Sequence, residues 1–523
     1  MSQDNLFLRY ASPGERRMIS REDLGFYSNI VVGATYEFGN GVKVDLQSLQ
    51  TFAGPLKHCV GKFPHLKVVA CDASTEKPFF KRVTSLDLRN HLRIIARPAT
   101  GTTTAGGEEP WMEQLLESLV DEPNSIATVP PWRVVVCPIS PTRCFVAFAY
   151  SHIIGDGRAA LAFHRAFLDS LRQGPNVPQV EISLPVPVPR FVLPDPFDTP
   201  ARLPISWSFL LGPLLAVLLP EIVAGWLGLQ AHAAKVGADT WTGNDVFFEP
   251  GANRSCVRIF AIDEARVTQA VRVSRAHGAK LTGTIHQLVV RALSKYIAGG
   301  KPAINFVSQT AVSMRASIGL PSEEWGNFAS GCYGMHPVIA QGQGRQHPSS
   351  STSSSSSPTS SPLLPASMWE NASLLSKTIA ESATQLWDQP LGLLRYAPNI
   401  RKWLLAKVGG RRDCSYEVSN LTSFRSDAVD EDSATPQQRQ VIHSSCKITD
   451  MVFAQPGGVV SAPMAFNLVS VHGGPLVGTI TWGRGALGVP VEAEDALVDG
   501  IRRSLVEDFA GIGSEAASLD KTA

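Results

Sequence analysis

The sequence has no excess of basic charge: 47 Lys and Arg stand against 46 Asp and Glu, a formal net charge of +1. No block of Lys or Arg could track a phosphate backbone, so no nucleic-acid partner is expected. The eight cysteines, at 59, 71, 137, 144, 256, 332, 414 and 446, form no C-x-x-C pair and no Cys/His ligand spacing. No metal is therefore expected, and the thiols read as reduced core residues. A G-x-S-x-G elbow, a G-x-G-x-x-G turn and a phosphate loop are all missing, which removes the motifs of serine hydrolysis and of dinucleotide and nucleotide binding. No fixed-period repeat is present, which excludes solenoids and propellers. The opening stretch MSQDNLFLRYASPGERR carries charges where a signal peptide has its apolar core, so a cytoplasmic protein is expected.

What is present is a long chain of ordinary globular composition, 523 residues with 44% hydrophobic and 18% charged. That is too long for one core and calls for two lobes. Proline clusters between 175 and 204, an extended connector, and the division expected is 1–200, an apolar link over 201–240, and 241–523. The Ser/Pro tract at 342–365, RQHPSSSTSSSSSPTSSPLLP at its heart, cannot pack a core and reads as a disordered insert. The stretch ISWSFLLGPLLAVLLPEIVAGWLGL at 205–229 holds one acid, Glu221, and two prolines, Pro213 and Pro220. Its length permits a membrane span of roughly 20 residues, but the prolines, the acid and the lack of flanking basic residues weigh against one. A buried helical hairpin and a hairpin lying on a membrane surface, with Trp207 and Trp226 as anchors, both remain open.

Around residue 150 the pattern sharpens. WRVVVCPI and CFVAFAY are β-type runs joined by SPTR, a hairpin signal, and RAALAFHRAFLDSLRQG has helical spacing through Ala160, Leu161, His164, Phe167, Leu168 and Leu171 before stopping at Gly174. His152 thus lies at a strand-to-helix junction, followed by the tight turn Gly155-Asp156-Gly157. An imidazole can accept a proton at neutral pH, and glycines leave room beside it. Asp156 either orients His152 or braces the turn. Further on, SMWENASLLSKTIAESATQLW predicts a helix with Ser367 and Glu370 as a capping box. His164 and His286 read as core histidines, and His65 in FPHL as a packed turn.

The stretch SHIIGDG between a hairpin and a helix resembles the HxxxDG signature of the coenzyme-A-dependent acyltransferase superfamily. RMISREDLGFYSNIVVGATYEF, GKFPHL and PMAFNLVSVHGGPLVGTITWG resemble segments of its fungal and yeast alcohol O-acetyltransferase family. The resemblance runs from about residue 9 to about residue 510, broken by the Ser/Pro insert and the apolar stretch. It implies an α/β fold of two chloramphenicol-acetyltransferase-like mixed-sheet lobes with a central tunnel. It also implies that His152 is the general base and that Asp156 and Gly157 are structural. VSMRASIG and EEWGNFASGCYG resemble the arginine-bearing loop and the tunnel-lining stretch, which makes Arg315 the mate of Asp156. Gly326, Asn327 and Ser151 become tunnel candidates.

Two departures narrow the expectation. The plant branch's Asp-Phe-Gly-Trp-Gly signature is missing, with only Thr481-Trp482-Gly483 near its place. The second histidine that condensation domains carry before the motif histidine is replaced by Ser151. The resemblance then implies acetyl-CoA, or another acyl-CoA, as co-substrate with no bound cofactor. A small alcohol or fungal secondary metabolite would be the acceptor, acylated directly in a ternary complex by a monomeric enzyme. The alternatives are a membrane-associated lipid acyltransferase or thioesterase, touching an endoplasmic reticulum or lipid droplet surface through 205–229, and a non-catalytic acyl-CoA-binding protein.

Overall fold

The computed structural model describes residues 6–39, 42, 44–97, 110–173, 186–220, 223, 226–229, 235–297, 304–339, 363–397, 399–426 and 446–519. Most of the Ser/Pro tract, 342–362, lies outside them, as does part of the 205–229 stretch.

Two mixed sheets form the two lobes. The first has the strand order Cys446–Ala454, Asn29–Phe38, Arg143–Ser151, Trp132–Ser140, Leu92–Ile94. The hairpin of Trp132–Ser140 and Arg143–Ser151 is antiparallel, as the turn SPTR predicts, and Leu92–Ile94 joins it in parallel. Strand Cys446–Ala454 lies at the edge of this N-lobe sheet although it comes from the C-terminal stretch, so the chain crosses between lobes twice near its end. The second sheet has the order Ser255–Ile262, Leu476–Gly483, Met464–Val471, Tyr416–Phe424, Asn305–Ser313, Ala329–Pro337.

Each lobe has its own core. The N-lobe core packs Tyr36, Phe52, Phe148, Phe163 and Phe167 between its sheet and the helices Leu49–Lys62 and Gly157–Arg172. The C-lobe core packs Phe260, Leu288, Tyr416, Phe466 and Trp482 beneath the helices Glu264–Ala276, Leu281–Ile297 and Glu494–Leu519. All eight cysteines are free and seven are buried, which agrees with core thiols.

A third cluster joins the lobes through the helix Pro110–Asp121. Glu113, Glu117 and Asp121, spaced by four along one helix face, accept from the backbone N–H groups of Ile259, Val257 and Ser255 at 2.8, 2.9 and 2.6 Å. These N–H groups belong to an edge strand, and the carboxylates cap donors that would otherwise invite another strand.

Two expectations need correction. The helix that Ser367 and Glu370 were to cap starts at Ala366 with Pro365 at the N-cap and no side-chain cap. Ser367 therefore sits inside the first turn. The capping box is instead Ser12 with Glu15, at the start of helix Pro13–Asp23. Nor does the apolar stretch pack wholly as core, one of the two readings left open for it: helix Trp207–Leu218 runs through Pro213 and buries Leu210, but Trp207, Leu211, Leu218 and Trp226 are 74%, 46%, 69% and 86% exposed. Among the described residues no helix is long and apolar enough to cross a membrane.

Because Leu215 lies on that exposed face, Leu215→Asp should move stability by no more than about 0.5 kcal/mol, as surface substitutions do. A thermal melt checks this, and a large loss would show that the helix is covered.

Candidate active site

The hairpin and the helix after it deliver residues 151–157 to the seam between the lobes. The helix Gly157–Arg172 is N-capped by Asp156, whose Oδ1 accepts from the Arg158 backbone N–H at 3.1 Å. The same carboxylate takes a bidentate ion pair from Arg315, Nη2 to Oδ1 and Nη1 to Oδ2, both at 2.8 Å, and a bond from the Phe328 N–H at 2.9 Å. Both partners are buried, Asp156 at 4% and Arg315 at 2% exposure. Burial alone would raise the Asp156 carboxyl, but the Arg315 guanidinium and the Phe328 N–H outweigh it and hold it below its ordinary value.

Arg315 is fixed in turn by the carbonyls of Glu324, at 2.9 Å, and Gly326, at 3.3 Å. The backbone follows: the Asp156 N–H donates to the Gly326 carbonyl at 3.1 Å, and Tyr150 Oη to the Asp156 carbonyl at 2.6 Å. The turn needs its glycines. A Cβ on Gly155 would come within 2.8 Å of the Ala159 Cβ, and one on Gly157 within 2.5 Å of Leu421. Asp156 makes no hydrogen bond to His152, so of its two expected roles it fills the bracing one.

Asn327 does the orienting. Its amide nitrogen donates to the carbonyls of His152, at 3.0 Å, and Ile153, at 3.3 Å. That leaves its Oδ1 to face His152 Nδ1 at 3.1 Å. Oδ1 only accepts, so this network assigns the proton to Nδ1 and leaves the lone pair on Nε2. Desolvation lowers the His152 pKa to about 4, with the charges of Arg21 and Arg17 adding to it and that of Asp156 opposing. The ring is neutral at pH 7. His152 lines a cavity of about 800 Å³ walled by both lobes, with Trp325, Gly326, Asn327 and Phe328 on the C-terminal side.

The other candidates divide. Gly326 and Asn327 line the cavity. Ser151 does not: it ends its strand fully buried, with its hydroxyl bonded to Glu22 and accepting from the Ile153 N–H at 3.2 Å. As a tunnel residue it is corrected, because neighbours at a strand end face opposite ways. His164 is a satisfied core histidine, held by Tyr36 Oη at 2.9 Å and the Val32 carbonyl at 3.0 Å. His286 is likewise held between Tyr416 and Thr310. His65 lines the cavity rather than only packing a turn, and its Nδ1 is buried without a partner among the described residues. Sequence reasoning assigned no role to Tyr27, whose ring lies 6.0 Å from that of His152, or to Arg21, stacked on Tyr27. Both sit in SREDLGFYSN, where the tyrosine follows the arginine by six positions and nothing local marks the pair.

No family model matches the sequence. A probable alcohol acetyltransferase of Aspergillus fumigatus is 30% identical over 157 residues, 28% of this chain, and the match spans 33% of that protein. A second, from Fusarium pseudograminearum, is 24% identical over 474 residues, covering 87% of this chain and 84% of the relative. Among solved structures the chain is similar to the trichothecene 15-O-acetyltransferase of Fusarium sporotrichioides, with a TM-score of 0.61 at 12% identity over 98% of this chain and 96% of the other. It is also similar to the condensation domain of the monacolin K polyketide synthase, with a TM-score of 0.52 at 12% identity over 97% and 98%. The fold is the two-lobed one of that acetyltransferase and of condensation domains, and the two curated relatives are both named as probable alcohol acetyltransferases.

Removing the Asp156 carboxylate strands a buried guanidinium and uncaps a helix, so Asp156→Ala should lose about 3–5 kcal/mol of stability. Denaturant unfolding of Asp156→Ala measures it; wild-type stability would show that Arg315 finds other partners.

Proposed function

We propose that the protein transfers an acyl group, most simply acetyl, from its coenzyme A thioester to the hydroxyl of a small alcohol or secondary metabolite bound in the cavity beside His152. The observation that carries this reading is a cavity-lining imidazole whose Nδ1 meets the Asn327 Oδ1 at 3.1 Å, an acceptor that calls for the proton on Nδ1 and leaves Nε2 for a substrate. His152 Nε2 takes the hydroxyl proton as the alcohol oxygen bonds to the thioester carbonyl carbon. The tetrahedral intermediate then expels the thiolate by breaking the C–S bond, and the proton passes from Nε2 to sulfur. The products are an ester and free coenzyme A.

Several features support direct transfer between two bound substrates. Seven of the eight thiols are buried, and burial pushes those of Cys59, Cys144, Cys256, Cys414 and Cys446 well up, which disfavours a thiolate acyl carrier. A cavity walled by both lobes admits donor and acceptor together and keeps water from the thioester. The depressed basicity of His152 has a compensation: the base stays unprotonated far into the acid range. A second reading, a membrane-associated acyltransferase taking a lipid-borne alcohol, is favoured by Leu218, which is both exposed and part of the cavity wall, and by the exposed Trp207 at the other end of the same helix.

His152→Ala should lower kcat/KM about a hundredfold to ten-thousandfold with the melting temperature retained, measured as thiol release from acetyl-CoA across a panel of alcohols. An active His152→Ala enzyme ends the proposal. In the wild type, activity depends on the neutral ring, so kcat/KM should fall only as the pH drops through about 4, not through the ordinary histidine range. Sedimentation with phosphatidylcholine vesicles tests the second reading.

A further inference from the structure

The fold treats its buried arginines in two ways. Arg315 meets the Asp156 carboxylate, and the Nε and Nη1 of Arg412 donate to the carbonyls of Asn244, Gly458, Val459 and Ser461. Arg21 receives neither. It sits in the last turn of helix Pro13–Asp23, is 5% exposed and lines the cavity that holds His152. Its one hydrogen-bond partner among the described residues is the Met18 Sδ, 3.9 Å from Nη1, and its Nε is buried without any. The guanidinium lies over the Tyr27 ring, 4.2 Å from its centroid, and a Cβ on Gly458 would come within 3.5 Å of its Nη2.

A desolvated cation without an acceptor is costly, and a stacked aromatic returns only part of that cost. The carboxylates nearby are engaged elsewhere. Glu15 is held by Arg9 and Ser12, Asp198 by the Gly14 N–H, and Asp413 by Lys407. Glu417 is the exception: it faces the same end of the cavity and its charge favours the Arg21 cation, but no hydrogen bond joins the two, it also accepts from Gln455, and burial raises its pKa, which weakens it as a counter-ion. Arg17, one helical turn before Arg21, adds a second positive charge to this wall. Arg21 is thus enclosed and lies within two ring contacts of His152.

We propose that Arg21 is an anion subsite of this cavity and that it receives a carboxylate carried by the acceptor, which makes the acceptor a hydroxy acid whose hydroxyl reaches His152. The assignment rests on the acyl-transfer reading of the cavity. A guanidinium presents two parallel N–H donors that match the two oxygens of a carboxylate. The enclosure favours a single monoanionic group over the multiply charged, strongly hydrated phosphates of coenzyme A, which suit an open mouth. Tyr27 then has two tasks, stacking on the guanidinium and spacing it from the imidazole.

The test uses ω-hydroxyalkanoates of graded length, from hydroxyhexanoate to hydroxydodecanoate, each against its methyl ester, with acetyl-CoA as donor. Wild type should use at least one acid about tenfold or more better in kcat/KM than its ester, the ratio expected for one charge-assisted bond. Arg21→Gln should erase that ratio through the KM of the acid, and Arg21→Lys should restore part of it. Equal use of acids and esters by the wild type, a preference that survives Arg21→Gln, or a loss confined to the KM of acetyl-CoA would each overturn the proposal. If no alcohol is acetylated, the acyl-transfer reading fails by itself, and calorimetric titration of the same acid and ester pairs still decides the subsite: tighter binding of acids to wild type supports it, and equal binding refutes it. That comparison needs no variant, so a folding defect in Arg21→Gln does not shield the claim.

Discussion

The buried ion pair between Asp156 and Arg315 is the constraint on which the site depends. One carboxylate caps the helix that follows the motif, accepts the Phe328 N–H and receives both guanidinium nitrogens. It thereby ties a turn of the N-lobe to the loop that lines the cavity from the other side. Such a pair adds little net stability over an apolar substitute, because desolvation offsets most of the attraction, but its geometry admits one arrangement. That arrangement puts Asn327 where its amide can clamp the His152 and Ile153 carbonyls. The charged residues fix the frame and a neutral amide aims the base.

Placing the base in a desolvated wall has a chemical consequence. A histidine with a carboxylate at Nδ1 would gain basicity, whereas one with an amide oxygen there and arginines nearby is a weaker base that stays neutral. Under the proposed acyl transfer, proton transfer from an alcohol to such a ring would be assisted only as the oxygen forms its bond to the thioester carbon, so the proton would move within the attack. The same enclosure that weakens the base makes each polar contact in the cavity stronger than it would be in water. Specificity can then rest on few groups, among which the proposed subsite would put Arg21.

Much of the frame was legible from short-range pattern. The hairpin at 132–151 and the helix after it followed from two β-type runs, a turn and a 3.6-residue period, and the glycine-flanked aspartate followed from the turn. The role of Asn327 was not legible, because it lies 175 residues from His152 and nothing local marks an amide that serves across the lobes. Ser151 misled because adjacency in sequence is opposition at a strand end. The apolar 205–229 stretch shows a different limit: composition tells that residues avoid water, and not what covers them. The Ser367 box failed because a proline two residues earlier takes the N-cap position, a local signal that outranked the motif.

The central claim is that the Asp156–Arg315 tie and the Asn327 clamp present a neutral His152 with its lone pair at Nε2. Nitrogen chemical shifts of the His152 ring, followed across pH in protein labelled at histidine, measure this without any substrate. The account predicts the Nδ1–H tautomer at neutral pH, protonating only near about 4, and loss of that single tautomer in Asn327→Ala. An Nε2–H tautomer in the wild type, or a ring that protonates at the ordinary histidine value, would contradict it.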